Sequence, residues 1–180
     1  MIRIGVTGHR VLTNVESLSA GIDEAIDRIQ EVFSSADLVV VSALAEGADR
    51  LVAIRVLTRP RARLVVPLPL PLKEYVRDFS STASKKEFLG LLALATDVVE
   101  PPRIQNRQDA YAAVGDYVVR NCNVLLAVWN GEPAKGAGGT AETVALARRR
   151  FLPLAWVRTQ NLSDKTFLKP APGGVVFENF

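Results

Sequence analysis

Residues 1–10 of the chain read MIRIGVTGHR, and this stretch contains both a strand and an unusual turn. The apolar run 2–6 has the length and composition of a short buried strand. It ends at residues 7–10, which combine a hydroxyl group, a glycine, the single histidine of the chain and an arginine. These residues form either an ordinary tight turn or a place where backbone and side chains hold an anionic group.

Apolar runs recur along the chain and alternate with helical patterns. The run 38–41 is continuous and rich in β-branched residues, which is typical of a strand that is covered on both faces. The other predicted strands are 63–66, 98–99, 124–129 and 154–157, with 175–177 as a candidate edge strand. The predicted helices are 13–33, 48–58, 71–79, 84–95, 107–121 and 140–150.

Two of these helices carry a signal at their start. Thr13 with Glu16, and Ser84 with Glu87, have the spacing of a capping box, in which a hydroxyl and a carboxylate satisfy free N–H groups. Pro71 is expected at the first position of the short helix that it opens.

The alternation of strands and helices indicates the fold class. It predicts an α/β fold, a doubly wound and mostly parallel sheet with helices on both faces. The chain has no internal repeat and no linker, so one domain is expected over residues 1–180, with 159–180 as a C-terminal tail or edge strand.

Composition narrows the function classes. The chain has 180 residues, a formal net charge of +3 and one cysteine, Cys122. One cysteine excludes an intramolecular disulfide, and with a single histidine it excludes the usual Cys/His zinc clusters. The net charge is too small to predict nucleic-acid binding without a clustered basic patch. The sequence shows no signal peptide and no stretch long enough to span a membrane, so a cytoplasmic location is expected.

Three segments that follow predicted strands are polar or rich in glycine: 5–10, 42–50 and 129–143. Ligands of open parallel sheets bind at the carboxyl ends of the strands, so these segments are expected to share one edge. Glycines let a ligand approach the backbone, helix starts attract anions, and arginine grips phosphate with two hydrogen bonds. The candidate ligand-binding residues are Gly5, Thr7, Gly8, His9, Arg10, Ser42, Glu46, Gly47, Ala48, Asp49, Arg50, Trp129, Gly138, Gly139, Thr140 and Glu142.

Standard phosphate-binding motifs fit the third segment poorly. Gly131 and Gly136 have the spacing of a P-loop, but Ala137 stands where that loop needs lysine. The stretch 136–141 matches G-x-G-x-x-A, yet it begins several residues after its strand and lacks the ribose-binding acid further on. The sequence also has no G-x-S-x-G elbow, which argues against a serine hydrolase.

Two of the three segments resemble motifs of known families. Residues 42–49, SALAEGAD, resemble the S-G-L-A-x-G-I-D motif of the DNA-processing protein Smf/DprA. Residues 136–142, GAGGTAE, resemble the P-G-G-x-G-T-x-x-E motif of the LOG phosphoribohydrolases, with departures at Lys135 and Ala137 and an acid, Glu142, one residue early. Together with the opening turn, they make residues 2–157 resemble the SLOG superfamily, which unites these groups.

The resemblance implies a Rossmann-like fold and a ligand that is a nucleotide or is derived from one. Some members cleave the N-glycosidic bond of a nucleoside monophosphate, and others are sensor domains of bacterial conflict systems that bind signals such as ADP-ribose derivatives. A sensor is the first expectation and a hydrolase the alternative, with Glu142 and Glu46 as its candidate catalytic residues. The resemblance also implies a homodimer and an effector protein as partner; no cofactor and no metal are expected.

Several candidates also have a structural interpretation. His9 can be a hydrogen-bonding turn residue, Asp49 a helix cap, and Arg50 the partner of Glu46 or Asp49. Trp129 can stack on a base or form a wall of the core. A loop at 103–109 could also fold over the pocket and bring in one of two tyrosines, Tyr111 or Tyr117.

Overall fold

The structure, a computed structural model, describes residues 1–100, 104, 106–133, 139–159 and 173–180. The strands are β1 Ile2–Gly8, β2 Leu38–Val41, β3 Arg63–Pro67, β4 Asp97–Val99, β5 Val124–Trp129, β6 Leu154–Arg158 and β7 Val175–Glu178. The helices are α1 Val15–Val32, α2 Ala48–Leu57, α3 Leu72–Tyr75, α4 Thr82–Leu92, α5 Arg107–Arg120 and α6 Thr140–Arg149. A turn of 3₁₀ helix, Val76–Asp78, follows α3 directly.

The strands form one seven-stranded sheet in the order β4-β3-β2-β1-β5-β6-β7. All neighbouring pairs are parallel except β6 and β7, and Ile4 of β1 lies opposite Val40 on one side and Val124 on the other. The chain moves outward from β1 to one edge and then returns to continue on the other side of β1. The predicted α/β class and its doubly wound, Rossmann-like architecture are confirmed.

Alternate residues of the central strands face two separate helix layers. Ile4 and Val40 belong to the core beneath α1 and α2. Val41 and Leu125 belong to a second core beneath α5 and α6. Because helices cover both faces, β2 and β5 are apolar and buried at every position rather than at alternate ones.

Both predicted capping boxes are wrong. A capping side chain reaches the first helical N–H groups from an extended residue. Asn14, which precedes α1, is instead left-handed with φ 53° and makes no side-chain cap, so Thr13 is not in a capping position. At α4 the extended residue is Ser81, whose Oγ accepts from the backbone N–H of Ser84 at 3.1 Å. That helix therefore begins two residues earlier than predicted.

Two further predictions, the edge strand near the C-terminus and the position of Pro71, have different outcomes. β7 pairs antiparallel with β6 and is the edge strand that the sequence indicates. Pro71 precedes the first turn of α3 with an extended backbone, ψ 139°, and is not its first helical residue. Residues 160–172 of the predicted tail lie outside the described residues. Within the part of the chain that is described, none of the helices combines the length and apolar character that crossing a bilayer requires.

Candidate ligand-binding site

A cavity of about 520 Å³ opens where the carboxyl ends of β1 and β5 lie side by side. The sheet order reverses between these two strands. Connections that leave a reversal in opposite directions create a crevice, and open α/β sheets bind their ligands there. A cavity of this volume accommodates a small organic molecule.

Half of the sequence-predicted site residues meet at this cavity. They are Thr7, Gly8, His9 and Arg10 after β1, Asp49 in α2, Trp129 at the end of β5, and Gly139 and Thr140 at the start of α6. Gly138 lies outside the described residues. The turn after β1 and the starts of α2 and α6 thus share one edge of the sheet.

One wall of the cavity comes from α5. Tyr111, Val114, Gly115 and Val118 line it at helical spacing. From the sequence, this stripe is expected to be an ordinary core face, and of its four residues only Tyr111 is predicted at the pocket. Gly115 is the signal that could have revealed the wall, because a glycine inside a helix often marks a close approach. A Cβ at Gly115 would lie 2.9 Å from Oγ1 of Thr143 in α6.

The remaining lining residues are Tyr75 and eight neighbours of the predicted site residues within the segments 5–10, 42–50 and 129–143. Tyr75 reaches the cavity from α3, behind a proline-rich stretch that looks like a plain connection. The others are Val6, Ala43, Ala45, Asn130, Glu132, Pro133, Ala141 and Thr143. These eight residues lie in the three segments that the sequence marks as the ligand edge, whereas Tyr75 reaches the cavity through tertiary placement alone.

The predicted glycines near β1 serve backbone packing. A Cβ on Gly5 would lie 2.7 Å from Sγ of Cys122, so this glycine lets α5 approach the sheet. Gly47 has φ +82°, and a Cβ there would lie 2.3 Å from the carbonyl oxygen of Arg10. Next to it, the buried Ala48 donates its backbone N–H to the carbonyl of His9 at 3.0 Å. Gly47 and Ala48 therefore hold the turn after β1 in place from outside the cavity lining.

Arg50 and Glu46 also lie outside the lining. Arg50 is 2% exposed; its Nε donates to the carbonyl of Leu44 at 3.0 Å, and its Nη1 donates to Glu87 at 2.8 Å. Its guanidinium stacks on Phe79, 4.5 Å from the ring centroid. These contacts fasten α2 to the start of α4. The sequence interpretation pairs Arg50 with Glu46 or Asp49, whereas the structure places it in an ion pair with Glu87.

The Glu46 carboxylate is held at the same junction. It accepts hydrogen bonds from the backbone N–H of Ser80 at 2.9 Å and from the hydroxyls of Ser80 and Ser84. Burial acts to raise the pKa of Glu46, but these hydrogen bonds and the charge of Arg50 outweigh it and lower the pKa to about 2. Glu142 lies in the first turn of α6, exposed and outside the lining.

His9 is fixed by three hydrogen bonds. Its backbone N–H donates to Val128 at 3.1 Å and its carbonyl accepts from Ala48 at 3.0 Å. The backbone N–H of Asn130 donates to Nε2 of the ring at 3.2 Å. Nε2 thus acts as the acceptor in this contact. His9 therefore links the ends of β1 and β5.

Asp49 is a buried carboxyl at the cavity. The Ser42 hydroxyl, itself buried, donates to Oδ2 of Asp49 at 3.0 Å. Burial raises the pKa of Asp49 to about 6, against the opposing effects of hydrogen bonds from Ser42 and Ala45 and of the charges of Arg10 and Arg50. A carboxyl with such a pKa changes its charge close to neutral pH.

Arg10 and Tyr111 form a pair at the cavity. The guanidinium carbon of Arg10 lies 5.5 Å from the centroid of the Tyr111 ring. The Tyr111 hydroxyl donates to Asp78, which also pairs with Arg107. The hydrogen bond to Asp78 thus fixes the ring of Tyr111. The ring and the guanidinium of Arg10 together place a flat surface and a positive charge beside the turn after β1.

Two features on the β5 side suit an anionic group. α6 starts after Gly139, which has no side chain to cap the first turn, and Thr143 makes the first helical bond to the Gly139 carbonyl at 3.1 Å. The N–H groups and positive dipole end of that turn face a cavity that Gly139, Thr140 and Ala141 line. Nδ2 of Asn130 is buried and has no hydrogen-bond partner among the described residues.

Trp129 fits both of its interpretations. It lines the cavity and yet is only 6% exposed, since it belongs to the second core and packs on Trp156 with ring centroids 5.3 Å apart.

Within the described residues, no group of three or more His, Cys, Asp or Glu side chains is placed to hold a metal ion. Neither a comparison with protein-family models nor one with curated proteins finds a match for this chain.

Proposed function

We propose that the chain binds a nucleotide or a nucleotide-derived small molecule, such as an ADP-ribose-type signal, and acts as its sensor. The observation that carries this proposal is the cavity at the reversal of the sheet order, where a helix start, an arginine and aromatic rings converge. Nucleotides combine an anionic phosphate with flat and hydroxylated parts, and this site offers a partner for each.

The phosphate end is best supported on the β5 side. The start of α6, where Gly139 has no side chain to act as a cap, supplies N–H groups and a positive dipole end, which together favour phosphate. Arg10 lies on the same cavity and adds a full positive charge. Trp129 and the Tyr111 ring supply apolar surface for the remainder of the ligand.

The resemblance to the SLOG superfamily supports the same proposal, because its members bind nucleotides and their derivatives. It extends the proposal to a homodimer that passes the signal to an effector protein, in the manner of a bacterial conflict system, inside the cytoplasm. The fold is compatible with membership, and the resembling motif at residues 42–49 leads into the helix that contributes Asp49 to the cavity.

The alternative is an N-glycosidic bond hydrolase of nucleotides. A catalytic acid or base must reach the bond that breaks, but Glu46 is held at α4 and Glu142 lies outside the lining. Two carboxyl side chains line the cavity, Asp49 and Glu132. Asp49 is the one that favours this alternative, because burial raises its pKa to about 6. A hydrolase on this site would use Asp49 and not Glu46 or Glu142.

One incubation tests sensor against hydrolase. Protein at near-stoichiometric concentration is mixed with AMP, NAD, ADP-ribose and cyclic ADP-ribose, the protein is filtered off, and the free pool is measured by chromatography with mass detection. The proposal expects one intact compound to be depleted and to be recovered when the protein is denatured. Free base with ribose phosphate would establish the hydrolase instead, and an unchanged pool would contradict both.

A further inference from the structure

The hydroxyl of Tyr75 is a buried polar group that makes no hydrogen bond within the described part of the chain. Tyr75 is 0% exposed and lines the cavity. Its ring packs on Phe79 and Phe88 with centroids 5.0 and 5.5 Å away, so the ring position is well determined. A buried hydroxyl without a partner costs stability, and such a group is expected to have a purpose.

The surroundings of Tyr75 define what it can bind. Asp49 lines the same cavity. Burial is the main cause that raises the pKa of Tyr75 well above its ordinary value, and the nearby carboxylate of Asp49 is the second. The phenol is therefore protonated and able to donate. Oδ2 of Asp49 accepts from Ser42 at 3.0 Å, but a carboxylate has further lone pairs and can accept from a ligand as well.

This end of the cavity differs from the α6 end. Asp49 and Tyr75 are contributed by α2 and α3, which follow β2 and β3, whereas the start of α6 follows β5 on the other side of β1. A carboxylate repels a phosphate, so the Asp49 end does not suit the anionic part of a ligand. The β5 end also has a lining carboxylate, Glu132, but the start of α6 and Nδ2 of Asn130, which has no partner among the described residues, favour an anion there. A neutral group with a hydrogen-bond acceptor next to a donor does suit the Asp49 end.

We propose that Tyr75 and Asp49 form a recognition subsite for a neutral ligand edge that carries an acceptor beside an N–H donor. Tyr75 donates to the acceptor and Asp49 accepts from the N–H group. The amino-substituted edge of adenine and the carboxamide of nicotinamide share this chemistry. The inference rests on the proposed function, because it assigns the second end of the same nucleotide site.

The test compares three probes on three proteins. AMP and nicotinamide mononucleotide carry the two candidate edges, while ribose 5-phosphate carries neither. Wild type, Tyr75→Phe and the control Tyr117→Phe are titrated calorimetrically near pH 8, about two units above the pKa of Asp49, where its carboxylate is ionised. Tyr117 lies on α5 outside the cavity lining, so its variant makes the same chemical change elsewhere.

The subsite predicts that AMP or nicotinamide mononucleotide binds wild type more tightly than ribose 5-phosphate does. Tyr75→Phe should weaken that nucleotide roughly five- to tenfold and leave ribose 5-phosphate unchanged. The midpoint of thermal unfolding should stay the same or rise, since the variant removes an unpaired buried hydroxyl; a merely structural tyrosine would lower it. Tyr117→Phe should bind as wild type does.

Two outcomes would overturn the subsite and leave the site itself intact. In one, Tyr75→Phe binds both nucleotides as wild type does; in the other, ribose 5-phosphate binds as tightly as the nucleotides. Failure of all three probes to bind wild type would also overturn the subsite. It would contradict the proposed function only if the incubation with AMP, NAD, ADP-ribose and cyclic ADP-ribose left the free pool unchanged as well. Loss for AMP alone, or for nicotinamide mononucleotide alone, identifies which of the two edges the subsite reads.

Discussion

Asp49 is the residue whose chemistry is most altered by the fold. It sits 7% exposed at the start of α2, next to the cavity and in reach of the charges of Arg10 and Arg50. Burial outweighs those charges and raises its pKa from 3.8 to about 6. Between these two values the folded protein keeps a proton that the unfolded chain has already released. Protonation of Asp49 therefore favours the folded state.

The sign of the resulting pH dependence is set by this shift. Stability from Asp49 is fully present below about pH 4 and is lost as the pH rises through about 6. Asp49→Asn keeps the shape and cannot titrate. We expect the free energy of unfolding of the variant, relative to wild type, to rise by roughly 2–3 kcal/mol between pH 4 and pH 7 in urea denaturation.

Glu46 provides a matched control of opposite sign. Its pKa is lowered from 4.5 to about 2, so its contribution to stability is present above pH 4.5 and is lost as the pH falls through about 2. Glu46→Gln should thus change its difference from wild type mainly below pH 4.5, so the two windows overlap only between pH 3.8 and pH 4.5. A difference between Asp49→Asn and wild type that stays constant from pH 4 to pH 7 would contradict the raised pKa of Asp49.

At the scale of elements, the cavity depends on how closely α2 approaches the turn after β1. Gly8 and Gly47 permit this approach: a Cβ on Gly8 would lie 2.3 Å from the Cβ of Ala48. A Cβ on Gly47 would meet the carbonyl oxygens of His9 and Arg10 at 2.5 and 2.3 Å. Main-chain packing thereby positions two of the residues that line the site.

Gly47→Ala should damage the fold for two reasons, the clash with those carbonyls and the positive φ of +82°. We expect a loss of about 2 kcal/mol or more in the free energy of unfolding. Gly90→Ala is the control, because Gly90 lies within α4 and a Cβ there meets nothing within 4 Å. It should stabilise the protein by about 0.5–1 kcal/mol. Equal effects of the two substitutions would show that the tight approach at Gly47 does not exist.

Arg50 joins two elements, α2 and α4. Arg50→Ala removes the stacking on Phe79 and the bond to Glu87, and urea denaturation should show a loss of about 2–3 kcal/mol. Arg28→Ala breaks an exposed pair with Glu31 and should cost no more than about 0.5 kcal/mol. If Arg50→Ala weakened nucleotide binding and left stability unchanged, Arg50 would be a ligand contact and not a link between helices.

At the scale of the whole molecule, the sequence predicts the fold well. Continuous apolar runs such as 38–41 and 124–129 can be strands only in a sheet that is covered on both faces, and the helical stripes between them supply the cover. The helix starts are predicted less well. Ser84 has the right spacing to a glutamate, yet the choice between Ser81 and Ser84 as cap depends on backbone conformation, which spacing does not reveal.

The candidate site could be predicted in part. Turns directly after strands, such as 7–10, are carried to the edge of the sheet by topology alone, so they were recognisable. Tyr75 and the α5 wall enter the cavity through tertiary packing, and their local sequence resembles connection or core. Arg50 has the residue type of a phosphate ligand, but its direction on α2 places it on Phe79 and Glu87.

The measurement that tests the central claim most directly locates the ligand with a pair of alanines on one helix. Ala141 lines the cavity, and Ala145 lies one turn further along α6, outside the lining. Wild type, Ala141→Leu and Ala145→Leu are each incubated with AMP, NAD, ADP-ribose and cyclic ADP-ribose, and the free pool is quantified. We predict that wild type and Ala145→Leu deplete the same compound, whereas Ala141→Leu, with its cavity filled, leaves that compound free. Equal depletion by both variants, or none by wild type, would contradict a nucleotide site between β1 and β5.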